Sequence, residues 1–478
     1  MKLADWKVFL YTSIGVFLVF SNMTTMDVAL PSIVRYFGAS PTQGNWILLG
    51  YMLTNTIMIL AFGRLADIVG RKLLYLAGMA VFTIASLGCG FSMSASALVF
   101  FRILQAFGAA AIVTNTTALL VDAYPASRMS LVLGLNVTVA AGSSICGPLI
   151  GGALVSGLGW RALFLAGAPL GIYSLIAGPR ILPSKTPTSK ESFDILGTLL
   201  SLLALGSLVF GLSEGGTLGW DSGEILGCFG LAIVAGIVFI RVQLKLKHPL
   251  IDLAILKSQD LVLAYYANFI MALVQMATLL LVSLFVQVMF NMNALEAGIR
   301  ITPLAAGLMA SAPVAARLIG KAAPYRVAAV GMGFVTIGML GMAMQFSGTM
   351  NESMVMIVMA IIGIGVGLFM TPNTSSIMSS VSSARRGIAN GVRSMMQNMG
   401  FVVGTALSLA IVTSRLTPLA KHAVYTGRGT LLNSEQRNLF HSQYHVAFLC
   451  LAALACSAMI ACLMRRAPTV ATATTRAG

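Results

Sequence analysis

Apolar residues run together in this chain, and polar residues collect in the short stretches between the runs. Fourteen runs are each long enough to cross roughly 30 Å of hydrocarbon as a helix rising about 1.5 Å per residue. They fall at 8–31, 44–62, 73–92, 97–121, 130–156, 161–179, 195–213, 224–243, 261–290, 298–316, 327–346, 353–379, 389–413 and 443–464. The two glycine-rich runs, around Gly206 and Gly227, give the weakest signal. The pattern predicts an all-α, polytopic membrane protein whose helices bundle inside lipid, because only a helix satisfies its own backbone there.

Composition agrees with this reading. Charged residues make up 9% and hydrophobic residues 58%, where a soluble domain carries about 25% charge. The net charge of +16 does not point to nucleic acid, since Lys and Arg recur at every second loop. Lys2 and Lys7, then Arg64, Arg71 and Lys72, then Arg128, then Arg180, Lys185 and Lys190 open the series. Arg241, Lys245, Lys247 and Lys257, then Arg317, Lys321 and Arg326, then Arg385 and Arg386, then Arg465 and Arg466 complete it. The alternate loops are poor in cations. The positive-inside rule therefore places both termini in the cytoplasm, which requires an even number of spans. The first run continues too long for a cleavable signal peptide and carries Asp27. The six cysteines are scattered singly and suit buried packing.

The sequence matches itself at one offset. Gly63-Arg64 returns as Gly320-Lys321, Gly108 as Gly365, Arg128 as Arg385, Gly134 as Gly391 and Gly147 as Gly404, each pair 257 residues apart. The expected organisation is two six-helix halves of parallel topology related by an axis along the membrane normal. Residues 1–192 form the first half, 193–257 two inserted linker helices, and 258–478 the second half with a long extracellular loop at 414–442. A mobile cap is the plain reading of that loop. The spacing of His441 and His445 permits a metal pair but makes a weak case for one, so no metal and no cofactor are expected.

Four constellations carry chemistry. The ten residues from Gly63 through Arg64, Asp67, Gly70 and Arg71 to Lys72 form a tight cytoplasmic turn. Asp67 can accept charge-assisted hydrogen bonds from an arginine, with Asp122 and Arg128 as partners across the gap, making a latch on the cytoplasmic side. Arg102 lies in the long apolar fourth span, where a cation costs roughly 2.5–3.5 kcal/mol on insertion scales. It either serves a polar site or snorkels to the outer interface. Span five carries Gly142, Gly147, Pro148, Gly151 and Gly152, a smooth face for close helix contact with a proline that removes one hydrogen bond. This is either a gating helix or a structural kink.

Asp27, in the outer half of span one, is the leading proton-coupling candidate. Burial favours its neutral form and a nearby cation its carboxylate, so a site that alternates between wet and dry binds and releases a proton. Arg102 enters at similar depth, and the two are expected to meet. The competing reading is an interfacial carboxylate with no transport role. Asn22, Thr24, Asn55, Gln105, Asn115, Asn136, Gln275 and Gln397 are candidates for the substrate cavity, each also explicable as a helix–helix hydrogen bond. The 28 methionines suit an adaptable cavity but are equally ordinary filler.

The turn beginning at Gly63, Arg102 in its setting, and Gly147-Pro148 followed by Gly151-Gly152 together resemble the major facilitator superfamily. Fourteen spans, Phe193-Asp194-Ile195-Leu196-Gly197 and Ala29-Leu30-Pro31 make the chain similar to its fourteen-helix drug:proton antiporters, the multidrug-resistance branch. The resemblance implies a 6+2+6 major facilitator fold and a bacterial inner-membrane exporter of hydrophobic, often cationic, compounds driven by proton influx. It departs in span one, where the family's Leu-Asp-x-Thr and later Asn become Asn22 and Asp27. The carboxylate has moved five residues, about 140° round the helix. Span four has Ala106 in place of the usual glycine, and the second-half position matching Asp67 is Pro324. These changes weaken a reading as a polyspecific cation exporter.

The leading function is thus proton-coupled export by alternating access, with small-molecule substrate, protons and lipid as partners, no nucleic acid, and the monomer as the working unit. A narrow-specificity transporter of a metabolite or organic anion, using Arg102 or Arg393 as counter-charge, is the alternative within the fold. A membrane-embedded enzyme finds no support in an intramembrane His/Asp cluster or a Ser–His–Asp arrangement, and without a Gly-x-x-x-x-Gly-Lys-Ser/Thr loop the sequence holds no ATPase engine of that kind.

Overall fold

A computed structural model describes residues 6–183, 194–246, 258–319, 321–346, 351–381 and 386–465. The first seven helices are α1 (Lys7–Phe37), α2 (Pro41–Val69), α3 (Arg71–Gly90), α4 (Ala95–Ala123), α5 (Ala126–Leu158), α6 (Ala162–Leu165) and α7 (Ala168–Ile181). A hairpin of α8 (Ile195–Leu218) and α9 (Gly223–Lys245) follows. The chain then continues through α10 (Gln259–Met289), α11 (Ala294–Ile319), α12 (Pro324–Gln345), α13 (Glu352–Ser379), α14 (Arg386–Thr413), α15 (Pro418–Tyr425) and α16 (Ser434–Met464). Among the described residues thirteen segments are long and apolar enough to cross a membrane, α6 and α7 together counting as one. The 33-residue α5 makes the fourteenth crossing. This is a multi-pass membrane protein with the expected 6+2+6 architecture.

Local chemistry sets the helix ends. Ser40 caps α2 in a reciprocal box with Gln43, and Pro41 occupies the first helical position. Gly38 ends α1 in the left-handed region at φ 59°. Gly70 alone links α2 to α3 at φ 98°, a conformation that only glycine adopts without strain. Span six differs from the expected single run. It breaks after Leu165, and Gly167-Ala168-Pro169 restarts it as α7, since proline is comfortable only in the first turn.

Large apolar side chains on α9, among them Leu226, Ile233, Val234, Ile237 and Ile240, are exposed, the inverse of a soluble fold. α10, by contrast, is buried almost throughout. The offset pairs do equivalent work in the two halves. Gly108 lets α4 approach the α3 backbone at Gly78 and Phe82, and Gly365 lets α13 approach the α12 backbone at Gly331 and Val335. Gly147 brings α5 onto α1 at Ser21 and Thr24, and Gly404 brings α14 onto α10 at Leu273. The side chains of Arg64 and Arg128, and residues Gly320 and Arg385, lie outside the described residues.

The bundle has two ends. One, the basic face, carries the Gly70 turn and the loops rich in Lys and Arg. At the opposite face, residues 414–442 are folded, correcting the expectation of a mobile cap. α15 packs on α1, α2 and α10, a short 3-10 turn follows at Gly429–Leu431, and α16 already begins at Ser434. The loop folds because Ala420, Ala423, Val424 and Tyr425 bury one side of α15.

Candidate functional site

Arg102 sits seven residues into α4 with 1% of its surface exposed, so it does not snorkel. It is held by neutral groups of its own helix and of its neighbours. Its Nη1 donates to Asn22 Oδ1 of α1 and, at 2.9 Å, to Gln105 Oε1, while Nε donates to the Ile47 carbonyl of α2 at 3.3 Å. The guanidinium lies 4.1 Å over the Tyr51 ring. Gln105 passes the chain on to Ser86 of α3 at 2.7 Å. Arg102 is therefore a strap across α1–α4. Arg102→Ala should strand the acceptors on Asn22 and Gln105, at about 1–3 kcal/mol for each buried group left unpaired. Membrane yield and thermal stability should fall together with transport; normal stability with lost transport would make the arginine a purely functional group.

Asp27 makes no hydrogen bond with Arg102. The five-residue step from Asn22 turns it to another side of α1, so Arg102 bonds Asn22 and acts on the carboxylate only through its charge. Asp27 is fully buried, and neither Oδ1 nor Oδ2 has a hydrogen-bond partner. Its backbone shows why this turn matters. Pro31 has no N–H to give the carbonyl four residues back, which is that of Asp27. Ser283 of α10 fills the vacancy, its hydroxyl donating to Asp27 O at 2.9 Å. Gln287 supports it, donating to Ser283 Oγ at 3.1 Å and to the Val28 carbonyl at 3.3 Å. The unpartnered carboxylate thus stands at a polar joint between the two halves.

At the basic face, Arg71 Nη1 bonds Asp122 Oδ2 at 3.0 Å, tying the start of α3 to the end of α4. Asp122 and Arg128 are the expected partners of the loop from Gly63 to Lys72, and Arg71 belongs to that loop. The side chains of Arg64, Asp67 and Arg128 lie outside the described residues, and the described ion pair runs to Arg71. Gly63 packs near Thr114 of α4, where an added Cβ would stand 3.4 Å from its methyl. Lys72 Nζ donates to the carbonyls of Pro179 and Leu182 at 2.8 and 2.9 Å.

The glycines of α5 serve two neighbours. Gly147 and Gly151 lie against Thr24 and Thr25 of α1, with Thr25 Oγ1 donating to Gly147 O at 2.9 Å. Gly152 lies against the Ala294 and Leu295 backbone at the start of α11, and Gly298 returns the contact onto Pro148 O. Gly142 has open space around it. Ser156 Oγ lies 3.5 Å from Asn293 Oδ1 and accepts from the Leu295 N–H at 3.3 Å. This end is sealed further by Arg35, which donates twice to Thr426 O at 3.0 and 3.2 Å. Hydrogen bonds between the halves run from this face to about mid-depth, where Asn55 Nδ2 donates to Asn398 Oδ1 at 3.3 Å.

The remaining cavity candidates divide. Thr24 bonds its own helix at Phe20 O, and Asn115 bonds its own at Ala111 O. Asn55, Asn115 and Asn136 each keep an unpartnered, buried Oδ1. Gln275 is half-buried on α10, and Gln397 accepts from Arg393 at 3.1 Å. Asn22 and Gln105 belong to the Arg102 strap. His445 Nδ1 meets Ala343 O at 2.8 Å, and His441 stands edge-on to Phe285, so the two rings have separate partners.

Two polar clusters had no counterpart in the sequence reading. Glu214 of α8 is buried, accepting from Thr42 at 2.9 Å and from Ser213 at 3.4 Å. Asn45 donates to Ser213 at 3.0 Å and accepts from Tyr425 of α15. The inserted hairpin, α2 and the folded cap are thereby joined. Burial pulls the Lys421 ammonium of the cap below the usual lysine range, and Glu214 opposes that shift. Arg465, which reads as a loop cation, folds back and donates to Asn373 at 2.9 Å and to Ser376 of α13. A carboxylate directly at the end of the apolar run 195–213 was the available signal for Glu214.

Comparison with known proteins follows the same lines. The sequence matches the Major Facilitator Superfamily over residues 12–405 and again over 267–476. It is 28% identical over 407 residues to the multidrug resistance protein Stp of Mycobacterium tuberculosis (strain CDC 1551 / Oshkosh), covering 85% of this chain and 75% of that one. It is 28% identical over 412 residues to the tetracenomycin C resistance and export protein of Streptomyces glaucescens, covering 86% and 76%. The uncharacterized transporter YebQ of Escherichia coli (strain K12) is 30% identical over 398 residues, covering 82% and 86%. In fold it is similar to a bacterial homolog of the human lysosomal transporter Spinster, inward-facing and occupied, with a TM-score of 0.63 at 16% identity over 97% of each chain. With this match across nearly its whole length, the chain belongs to the major facilitator superfamily, a family of transporters.

Proposed function

We propose that this protein is a proton-coupled exporter of hydrophobic small molecules that works by alternating access, with Asp27 as the proton site. It lies in a bacterial inner membrane with its basic face and both termini in the cytoplasm, as the loop charges favour. The observation that carries the reading is the fully buried Asp27 carboxylate with no donor to either oxygen. An ionised carboxylate so placed is a buried charge with no hydrogen bond, offset only by the Arg102 charge acting from a distance, and a proton removes that charge. Parting the halves at the opposite face breaks the Ser283–Asp27 joint, admits water and frees the proton path. Closing that face dries it again. The relatives named for multidrug resistance and for tetracenomycin C resistance and export support the export direction.

The test is transport by purified protein in proteoliposomes under an imposed pH gradient, against a panel of hydrophobic cations, neutral compounds and organic acids. Substrate movement should track the gradient and collapse with a protonophore. Movement indifferent to the gradient would overturn proton coupling.

A further inference from the structure

We propose that Arg393 is the counter-charge for an anionic group on the transported molecule, bound where the halves part toward the basic face. This rests on the transporter reading above and names its substrate class. Asn390, Arg393, Ser394, Gln397 and Asn398 recur at helical spacing, so they form one polar stripe along α14. The stripe continues to Thr405, whose hydroxyl lies 3.5 Å from Met52 of α2. Asn398 meets Asn55 of α2 at mid-depth. These two contacts show that the stripe faces the first half. Its members nearer the basic face, from Gln397 down to Asn390, are half-buried and make no described hydrogen bond to the first half. The stripe therefore lies along the seam between the halves, where α14 faces α2.

Arg393 lies seven residues into α14, about 10 Å along the helix. It does not reach back toward the basic face. Its Nε donates to Asn390 Oδ1 at 3.1 Å, its Nη1 to Gln397 Oε1 one turn deeper at 3.1 Å, and its Nη2 to Ser394 Oγ at 3.4 Å. All three acceptors are neutral and on its own helix, so the positive charge is positioned but not neutralised. A guanidinium has five N–H groups, and those left over match the geometry of a carboxylate or similar oxyanion. α10 fixes the turn from behind, with Asn268 Nδ2 donating to Arg393 O at 2.9 Å and Tyr265 donating to Ala389 O at 3.2 Å. The other intramembrane charges discussed above are sealed, Asp27 at 0% and Arg102 at 1% exposure. A molecule entering the gap thus meets the charge of Arg393. Export of a monoanion is also helped by an interior-negative membrane potential, by about 50-fold in the equilibrium ratio per 100 mV.

Binding to the purified, full-length protein tests the proposal without any gradient, which separates it from proton coupling. Three probes share one naphthyl scaffold and end in a carboxylate, a primary amide or a trimethylammonium group. The carboxylate should bind the wild type about tenfold tighter than the amide, one charge-assisted contact's worth. Arg393→Gln should remove that preference, and Arg393→Lys should keep part of it. Carboxylate binding no tighter than the amide or the ammonium, or Arg393→Gln weakening all three probes alike, overturns the proposal, as does absence of carboxylate binding. Carboxylate preference combined with gradient-independent transport would leave this inference standing and sink only the role of Asp27.

Discussion

Asp27→Asn should reduce substrate-driven proton movement in proteoliposomes to the level of empty vesicles, with the protein still inserted and monodisperse. The two halves of that expectation come from one observation. The native carboxylate makes no hydrogen bond through either oxygen, so the substitution removes no structural contact. Asn is close to Asp in volume, so the fully buried site is not overpacked. What the amide cannot do is take up and release a proton. A residue kept for packing would show the reverse pattern, with weakened folding and intact coupling per folded molecule. The backbone joint provides an internal control. Ser283→Ala removes the donor to the Asp27 carbonyl but leaves the acid, so it should weaken contact between the halves without abolishing proton exchange. Coupling that survives Asp27→Asn would remove this residue from the proton path.

What the sequence disclosed follows from which forces are local. Span number and architecture were legible because lipid demands about 20 apolar residues per crossing, whatever the neighbours. The 257-residue offset was legible because close helix crossings require glycine, and Gly108, Gly365, Gly147 and Gly404 sit at such crossings. The relation between Asp27 and Arg102 was not legible. Depth along a helix can be counted, but which neighbour a side chain faces depends on how each helix is rotated in the bundle. Asn22 lies at the angle Arg102 needs, and Asp27 does not. The folded cap was missed for a similar reason. Pro418, Gly427 and Gly429 read as loop residues, whereas Gly427 at φ 64° and Gly429 against Val288 are what let the chain turn and press onto α10. Arg465 reads as a loop cation in the sequence because its acceptors on α13 are about 90 residues away.

A cysteine pair, Ser156→Cys with Asn293→Cys, should stop transport on oxidation and release it on reduction. It is made in a background from which the six native cysteines have been removed. The two side chains approach to 3.5 Å at the face opposite the basic loops. Gly152 and Gly298 bring α5 and α11 close enough there that an added Cβ at either would strike the other helix's backbone. In a rocking mechanism this contact must open once per cycle to release substrate. A disulfide would hold it shut and arrest turnover with the opposite face closed. The single Asn293→Cys variant is a necessary control, because Asn293 Oδ1 also accepts from the Glu296 N–H at 2.9 Å. Loss of that cap costs about 1 kcal/mol, which should lower stability slightly without making transport redox-sensitive. Undiminished transport by fully cross-linked protein would mean that α5 and α11 stay together throughout the cycle, and the halves could not then alternate about Asp27 as described.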